Sequence, residues 1–191
     1  MILYLHGFRS SPHSYKARLL IQRMQQLGRA SEFFCPALSA SPLLAIRQAE
    51  QIMADYAPSE ITLIGSSLGG YYATWLAERY ACQAVLLNPA VTPPRELESY
   101  VGVTTAYHSD EVFEFKAEYV DELRSFAVAQ ISRPQRYLLL AATGDEVLDW
   151  REMAAHYAGA PQVIIQGGDH GISEFAAYMD SVLAFCDGQH A

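Results

Sequence analysis

The sequence predicts an α/β protein: a mainly parallel sheet of about six strands, with helices packed on both faces. Two observations carry this expectation. Apolar β-type runs at residues 2–6, 31–35, 61–65, 84–88, 137–142 and 163–166 alternate with helical patterns from one end of the chain to the other, and strands separated by helices pair in parallel and need cover on both sides. The length of 191 residues with 51% hydrophobic content suits one domain that buries roughly 70% of its unfolded surface. We therefore expect residues 1–191 to form a single unit.

Each element has its own signal. The first strand, residues 2–6, runs into His6-Gly7-Phe8, and the helix after it ends at Gly28, a residue suited to the left-handed turn beyond a helix. The second strand precedes Ser41, an N-cap with Pro42 at the first helical position. Ala45, Ala49, Ile52, Met53 and Tyr56 then recur at three- and four-residue spacing. The third strand leads directly into Gly65-Ser66-Ser67-Leu68-Gly69, and the fourth ends at Asn88. Residues 92–134 are too long for an ordinary connection; they open on Thr92-Pro93-Pro94 and carry an acidic helical pattern near residues 110–124, which reads as a helical lid or cap. The fifth and sixth strands follow. If the six strands lie in the order 2-1-3-4-5-6, the order reverses between strands 1 and 3, and ligands bind at such reversals, beyond the carboxyl ends of the strands.

Composition narrows the classes of function. A net charge of -8 offers no electrostatic basis for binding nucleic acid or an anionic membrane. No apolar run is long enough to span a bilayer, and the first seven residues read as a strand and not as a targeting peptide. Three scattered cysteines, Cys35, Cys82 and Cys186, argue for a reducing compartment, so a cytoplasmic location is expected, with the cysteines as small core residues. There is no H-E-x-x-H and no cysteine cluster, so we expect no metal and no cofactor.

The pentapeptide Gly65-Ser66-Ser67-Leu68-Gly69 fits G-x-S-x-G in the strand-to-helix setting of a nucleophile elbow. The register selects Ser67, because Ser66 would need glycine where Ile64 and Leu68 stand. A serine hydroxyl needs a base to take its proton and a carboxylate to orient that base. After the fifth strand comes Thr143-Gly144-Asp145-Glu146, and after the sixth Gly167-Gly168-Asp169-His170-Gly171, so Ser67, Asp145 and His170 follow in the order of the acid–histidine partners of such elbows. The Leu68 and Phe8 backbone N–H groups are the expected oxyanion donors, and Gly7 and Tyr71 the expected substrate contacts.

Rival assignments exist for each. Asp149, Asp169 and Glu146 compete with Asp145, which lies closest to its strand end; His6, His13, His108, His156 and His190 compete with His170, which follows the last strand. His6 reads as structural, bonded to the elbow loop. Tyr100, Tyr107, Phe113, Phe115, Tyr119 and Phe126 suit an acyl pocket or, more simply, the lid's own packing. Asp110, Glu111, Glu114, Glu118, Asp121 and Glu122 read as a solvated helix face. Arg9, Lys16 and Arg18 read as surface charge, with capture of an anionic substrate group as the rival reading.

With these residues in view, the chain resembles the YqiA-like esterases of the α/β-hydrolase superfamily, a bacterial group formerly carried as the uncharacterised family UPF0227. The resemblance covers nearly the whole chain. It rests on Leu3-Tyr4-Leu5-His6-Gly7-Phe8, Ile64-Gly65-Ser66-Ser67-Leu68-Gly69-Gly70-Tyr71, Leu87-Asn88-Pro89-Ala90, Thr143-Gly144-Asp145-Glu146-Val147-Leu148-Asp149 and Gly168-Asp169-His170, in that order. One departure is Trp150, where a tyrosine is expected. The resemblance implies a compact α/β-hydrolase fold without the two leading strands of larger relatives, and activity towards short acyl esters and acyl-CoA thioesters. The expectation is a serine hydrolase, a carboxylesterase or thioesterase for short-to-medium acyl groups, acting on a small-molecule substrate as a monomer or homodimer. The alternative is an acyltransferase or a ligand-binding sensor that retains the triad.

Overall fold

The computed structural model describes residues 1–105 and 112–188. Tyr107, His108, Asp110, Glu111 and His190, and the side chain of Phe113, lie outside the described residues. The elements run β1 (Ile2–Leu5), α1 (Tyr15–Gln26), β2 (Phe33–Phe34), α2 (Pro42–Met53), β3 (Thr62–Ser66), α3 (Leu68–Tyr80), β4 (Gln83–Leu87), α4 (Pro93–Leu97), β5 (Gly102–Thr105), β6 (Val112–Phe115), α5 (Ala117–Ser125), β7 (Tyr137–Ala142), α6 (Trp150–His156), β8 (Gln162–Ile165) and α7 (Met179–Cys186). Six strands form one parallel sheet in the order β2-β1-β3-β4-β7-β8, which is the expected order with its reversal between β1 and β3. Among the described residues no helix is long and apolar enough to cross a membrane.

The pleat divides the core in two. Leu3, Leu5, Leu63, Ala84, Leu86, Leu139 and Ala141 face α2, α3, α5 and α6. Their alternates Ile2, Tyr4, Ile64, Val85, Leu87, Leu138, Leu140 and Ile165 face α1 and α7. Both faces of the central strands are thus buried, which is why these strands are apolar without alternation. The edge strand β2 is shorter than residues 31–35: a 3-10 turn over Ala30–Glu32 precedes it, and Pro36, which has no N–H to donate, follows Cys35.

The insert at 92–134 departs from a purely helical lid. Between α4 and α5 it forms an antiparallel hairpin in which Gly102 pairs with Phe115 and Thr105 with Val112. Phe113-Glu114-Phe115-Lys116 does alternate with a period of two, and α5 begins only at Ala117. The acidic face is not wholly solvated either. Glu122 reaches the start of α2, where its carboxylate accepts from the Ser41 hydroxyl at 2.7 Å and from Leu43 N–H at 2.9 Å, a favourable place for negative charge. Ser41 also caps α2 through Leu44 N–H at 3.2 Å. At the far end of the insert, the Glu78 carboxylate accepts from Ser132 N–H, Arg136 and the Tyr137 hydroxyl.

Glu122→Ala removes two charge-assisted bonds at a helix start, so it is expected to lower unfolding stability by about 1–2 kcal/mol. An unchanged denaturant midpoint would show that the insert is not anchored through α2.

Candidate active site

At the end of β3 the chain turns through Ser67 with φ of 54° and ψ of -122°, a left-handed conformation that costs of order 1–3 kcal/mol outside glycine. The turn holds because its neighbours have no side chains to obstruct it. A Cβ on Gly69 would lie 1.9 Å from the Leu5 carbonyl oxygen, and one on Gly65 2.3 Å from that of Gly69. Ser67 N–H donates to the Leu87 carbonyl, and the Ser67 carbonyl accepts from Gly70 and Ala90 N–H. The elbow is therefore pinned between β1 and β4.

The structure brings Ser67, Asp145 and His170 together in one hydrogen-bonded chain. His170 Nδ1 lies 2.8 Å from Asp145 Oδ2, and His170 Nε2 lies 3.0 Å from Ser67 Oγ. An ionised carboxylate only accepts, so Nδ1 carries the proton, and Nε2 presents its lone pair to the serine hydroxyl. The Asp145 side chain is 0% exposed and that of His170 21%. Asp145 Oδ1 accepts from Val147 and Leu148 N–H at 2.8 and 2.9 Å, so both carboxylate oxygens are held.

Five of the rival residues, Glu146, Asp149, Asp169, His6 and His156, have other partners. Glu146 accepts from His170 N–H at 2.9 Å. Asp149 caps α6 through Arg151 N–H. Asp169 binds Ser173 through both its hydroxyl and its amide, bonds that hold its carboxyl below the usual range. His6 does not bond the elbow loop: it lies against the Gly7 carbonyl through Nδ1 at 3.0 Å and accepts from Leu38 N–H through Nε2, and burial favours its neutral form. His156 sits edge-on against Tyr157 at the end of α6. Burial pushes the thiols of Cys35 and Cys186 up to about 12 and that of Cys82 to about 11, so none is a ready thiolate.

Asn88 is the site residue that sequence reasoning missed. It ends β4 at φ 43°, is fully buried, and its amide donates to the Asp169 and His170 carbonyls at 3.0 Å each while accepting from Ala142 N–H at 2.8 Å. One side chain thus ties the His170 loop to β7. Asn tolerates positive φ better than other non-glycine residues, and an Asn directly after an apolar strand was the available signal.

Beside the elbow, a cleft of about 200 Å³ is lined by Gly7, Phe8, Leu38, Ala40, Leu68 and Tyr72, among others. A Cβ on Gly7 would stand 3.1 Å from Ser67 Cβ, so the loop after β1 passes directly over the serine. The Phe8 ring packs edge-on against Tyr100 and Phe115 of the insert, with centroids 5.4 and 5.0 Å away. Leu68, as the first residue of α3, has an amide without a partner inside the helix. Tyr71 lies elsewhere: it is 4% exposed and its hydroxyl donates to the Leu123 carbonyl of α5 at 2.7 Å, which makes it an anchor of the insert and not a wall of the cleft. Phe115 and Phe126 are likewise buried where the insert packs on the domain, the latter against Trp75 of α3. Of the three basic residues near this loop, Arg18 is exposed, Arg9 bonds Thr105 at the end of β5, and Lys16 is buried and bonds the Gly171 carbonyl. Lys16 is therefore not surface charge.

A family model described as "Uncharacterised protein family (UPF0227)" matches residues 1–187. Solved structures share the fold at low identity. Mouse alpha/beta hydrolase domain-containing protein 10 is 19% identical, with a TM-score of 0.69 over 95% of this chain and 88% of the other. Est1E from Butyrivibrio proteoclasticus, with ferulic acid bound, is 14% identical, with a TM-score of 0.68 over 98% and 88%. The esterase domain of a Rhodothermus marinus protein is 22% identical, with a TM-score of 0.64 over 95% and 83%. The fold is that of the α/β hydrolases.

Asn88→Ala leaves two carbonyls and one N–H without their buried partner, so a loss of about 3 kcal/mol in unfolding stability is expected. Denaturant unfolding of the variant measures it; a loss below about 1 kcal/mol would mean the His170 loop is held by other bonds.

Proposed function

We propose that this chain, which belongs to the uncharacterised protein family UPF0227, is a serine hydrolase that cleaves carboxylic esters or thioesters through an acyl-enzyme on Ser67. The observation that carries the reading is the continuous chain from Asp145 through His170 to Ser67 at 2.8 and 3.0 Å, set at the carboxyl ends of three strands of one sheet. The esterase name of the Rhodothermus marinus domain supports the same reaction class.

The chemistry follows from the proton positions. Ser67 Oγ attacks the substrate carbonyl carbon while its proton passes to His170 Nε2, and Asp145 stabilises the imidazolium that results. The carbonyl oxygen becomes an oxyanion, for which the Leu68 and Phe8 N–H groups are the proposed donors; each such donor is worth about 3–4 kcal/mol of barrier lowering. Collapse breaks the bond to the leaving alcohol or thiol, which takes the proton from Nε2. Water then repeats the sequence in reverse: it loses a proton to Nε2 as it attacks the acyl carbon, and the bond from that carbon to Ser67 Oγ breaks as Oγ takes the proton back from Nε2, which releases the acid and free Ser67. The cleft sets Phe8, Leu38, Leu68 and Tyr72 beside the polar residues His6, Arg9, Ser10 and Ser39, and its modest size suits a short-to-medium acyl group.

Steady-state hydrolysis of p-nitrophenyl ester and acyl-CoA series tests this reading. Ser67→Ala is expected to lower kcat at least about 10⁴-fold with an unchanged unfolding midpoint; a variant that retains full activity would overturn the assignment. Asp145→Asn, whose amide can donate to Nδ1 and so impose the wrong tautomer, is expected to cost about 10⁴-fold. Activity of the wild type should fall on acidification as the imidazole takes up a proton and ceases to be a base. A rate that is flat from about pH 5 to 9 would contradict a histidine base.

A further inference from the structure

Lys16 occupies an expensive position. It stands at the second residue of α1, in the first turn, where the helix dipole disfavours a cation, and it is only 8% exposed. An ammonium removed from water is held only where acceptors and opposite charges replace the solvent. Three groups do so here: the Gly171 carbonyl, to which Nζ donates, and the carboxylates of Asp169 and Asp145. Gly171 directly follows His170, and Asp145 is the partner of His170 Nδ1.

The charges around His170 explain why a cation belongs there. The imidazole meets Asp145 at Nδ1 and Ser67 at Nε2. Its own backbone N–H donates to Glu146, Asp169 precedes it in the chain, and Glu174 Oε2 lies beside Gly168 of the same loop. Carboxylates thus flank the His170 loop on several sides, and a histidine that carries a second proton cannot take the proton of Ser67.

We propose that Lys16 is a positioning residue of the hydrolase: its ammonium fixes the Gly171 carbonyl, and with it the His170 loop, and its charge opposes a second positive charge on His170 in the resting enzyme. The inference rests on the serine hydrolase reading for its kinetic consequence. Burial outweighs the attraction of Asp169 and Asp145 and lowers the Lys16 pKa to about 8, so the cation is present at neutral pH and discharges on the alkaline side.

Two variants separate the bond from the charge. Lys16→Gln keeps a donor for the Gly171 carbonyl and removes the charge; Lys16→Met removes both. In pH–rate profiles the acid limb is expected to move to higher pH by about one unit in both variants, with a further loss of about tenfold in kcat for Lys16→Met alone. A Lys16→Gln profile that superimposes on that of the wild type would overturn the proposal, because a purely structural lysine shifts no titration. Imidazole resonances of His170, followed by NMR in the wild type from pH 5 to 10, give a measurement that needs neither variant folding nor turnover. A second inflection near pH 8, as Lys16 discharges, is the expected result, and a single-site titration would overturn the charge coupling. Failure of the hydrolase reading itself would look different: no Ser67-dependent turnover by the wild type, with the NMR inflection still present.

Discussion

The site depends on how closely the elbow approaches the first strand. Gly69 sits so near the Leu5 carbonyl that any side chain there would collide with it, and this contact sets how closely the start of α3 approaches the end of β1. Because these strands are neighbours in register, Leu5 with Gly65, the chain that leaves β1 has nowhere to go but across Ser67. Gly7 makes that crossing, and Phe8 follows it into the cleft. The serine and the loop facing it are therefore placed by one packing constraint, and the strained φ of Ser67 is held by the same contacts.

The other half of the site is assembled differently. Ser67, Asp145 and His170 follow β3, β7 and β8, and β4 lies between the first of these and the other two. The end of β4 fills that gap with Asn88, which bonds β7 and the His170 loop together. Lys16 reaches the same loop from α1, on the sheet face opposite to the insert. The histidine is thus held by side chains from two elements that carry no part of the triad, and one of them brings a charge into the interior.

The sheet was legible in the sequence because both of its faces are buried, which makes the central strands uniformly apolar, and because the elbow glycines are demanded by close backbone contact. Ser67, Asp145 and His170 were legible for the same reason: each stands just past a strand end. The rest depended on partners distant in sequence. Nothing local marks Lys16 as buried, since its acceptor lies 155 residues away. Glu122 shares its helix with solvated carboxylates and differs only in facing the start of α2. Tyr71 adjoins the elbow in sequence, but α3 turns its ring towards α5. The hairpin of β5 and β6 was obscured by acidic residues whose composition suggested helix more strongly than the short alternation from Phe113 suggested strand.

Phe8 joins the insert to the loop over Ser67. Its ring is wedged among Tyr100 and Phe115 of the insert, its neighbour Arg9 grips Thr105, and its amide belongs to the loop over Ser67. The insert and the loop over Ser67 are therefore mechanically one piece: a displacement of the hairpin drags on the backbone that crosses the serine. On the hydrolase reading proposed above, amino-acid changes in the insert, far from the serine in sequence, would then be felt as changes in rate and not only in substrate preference.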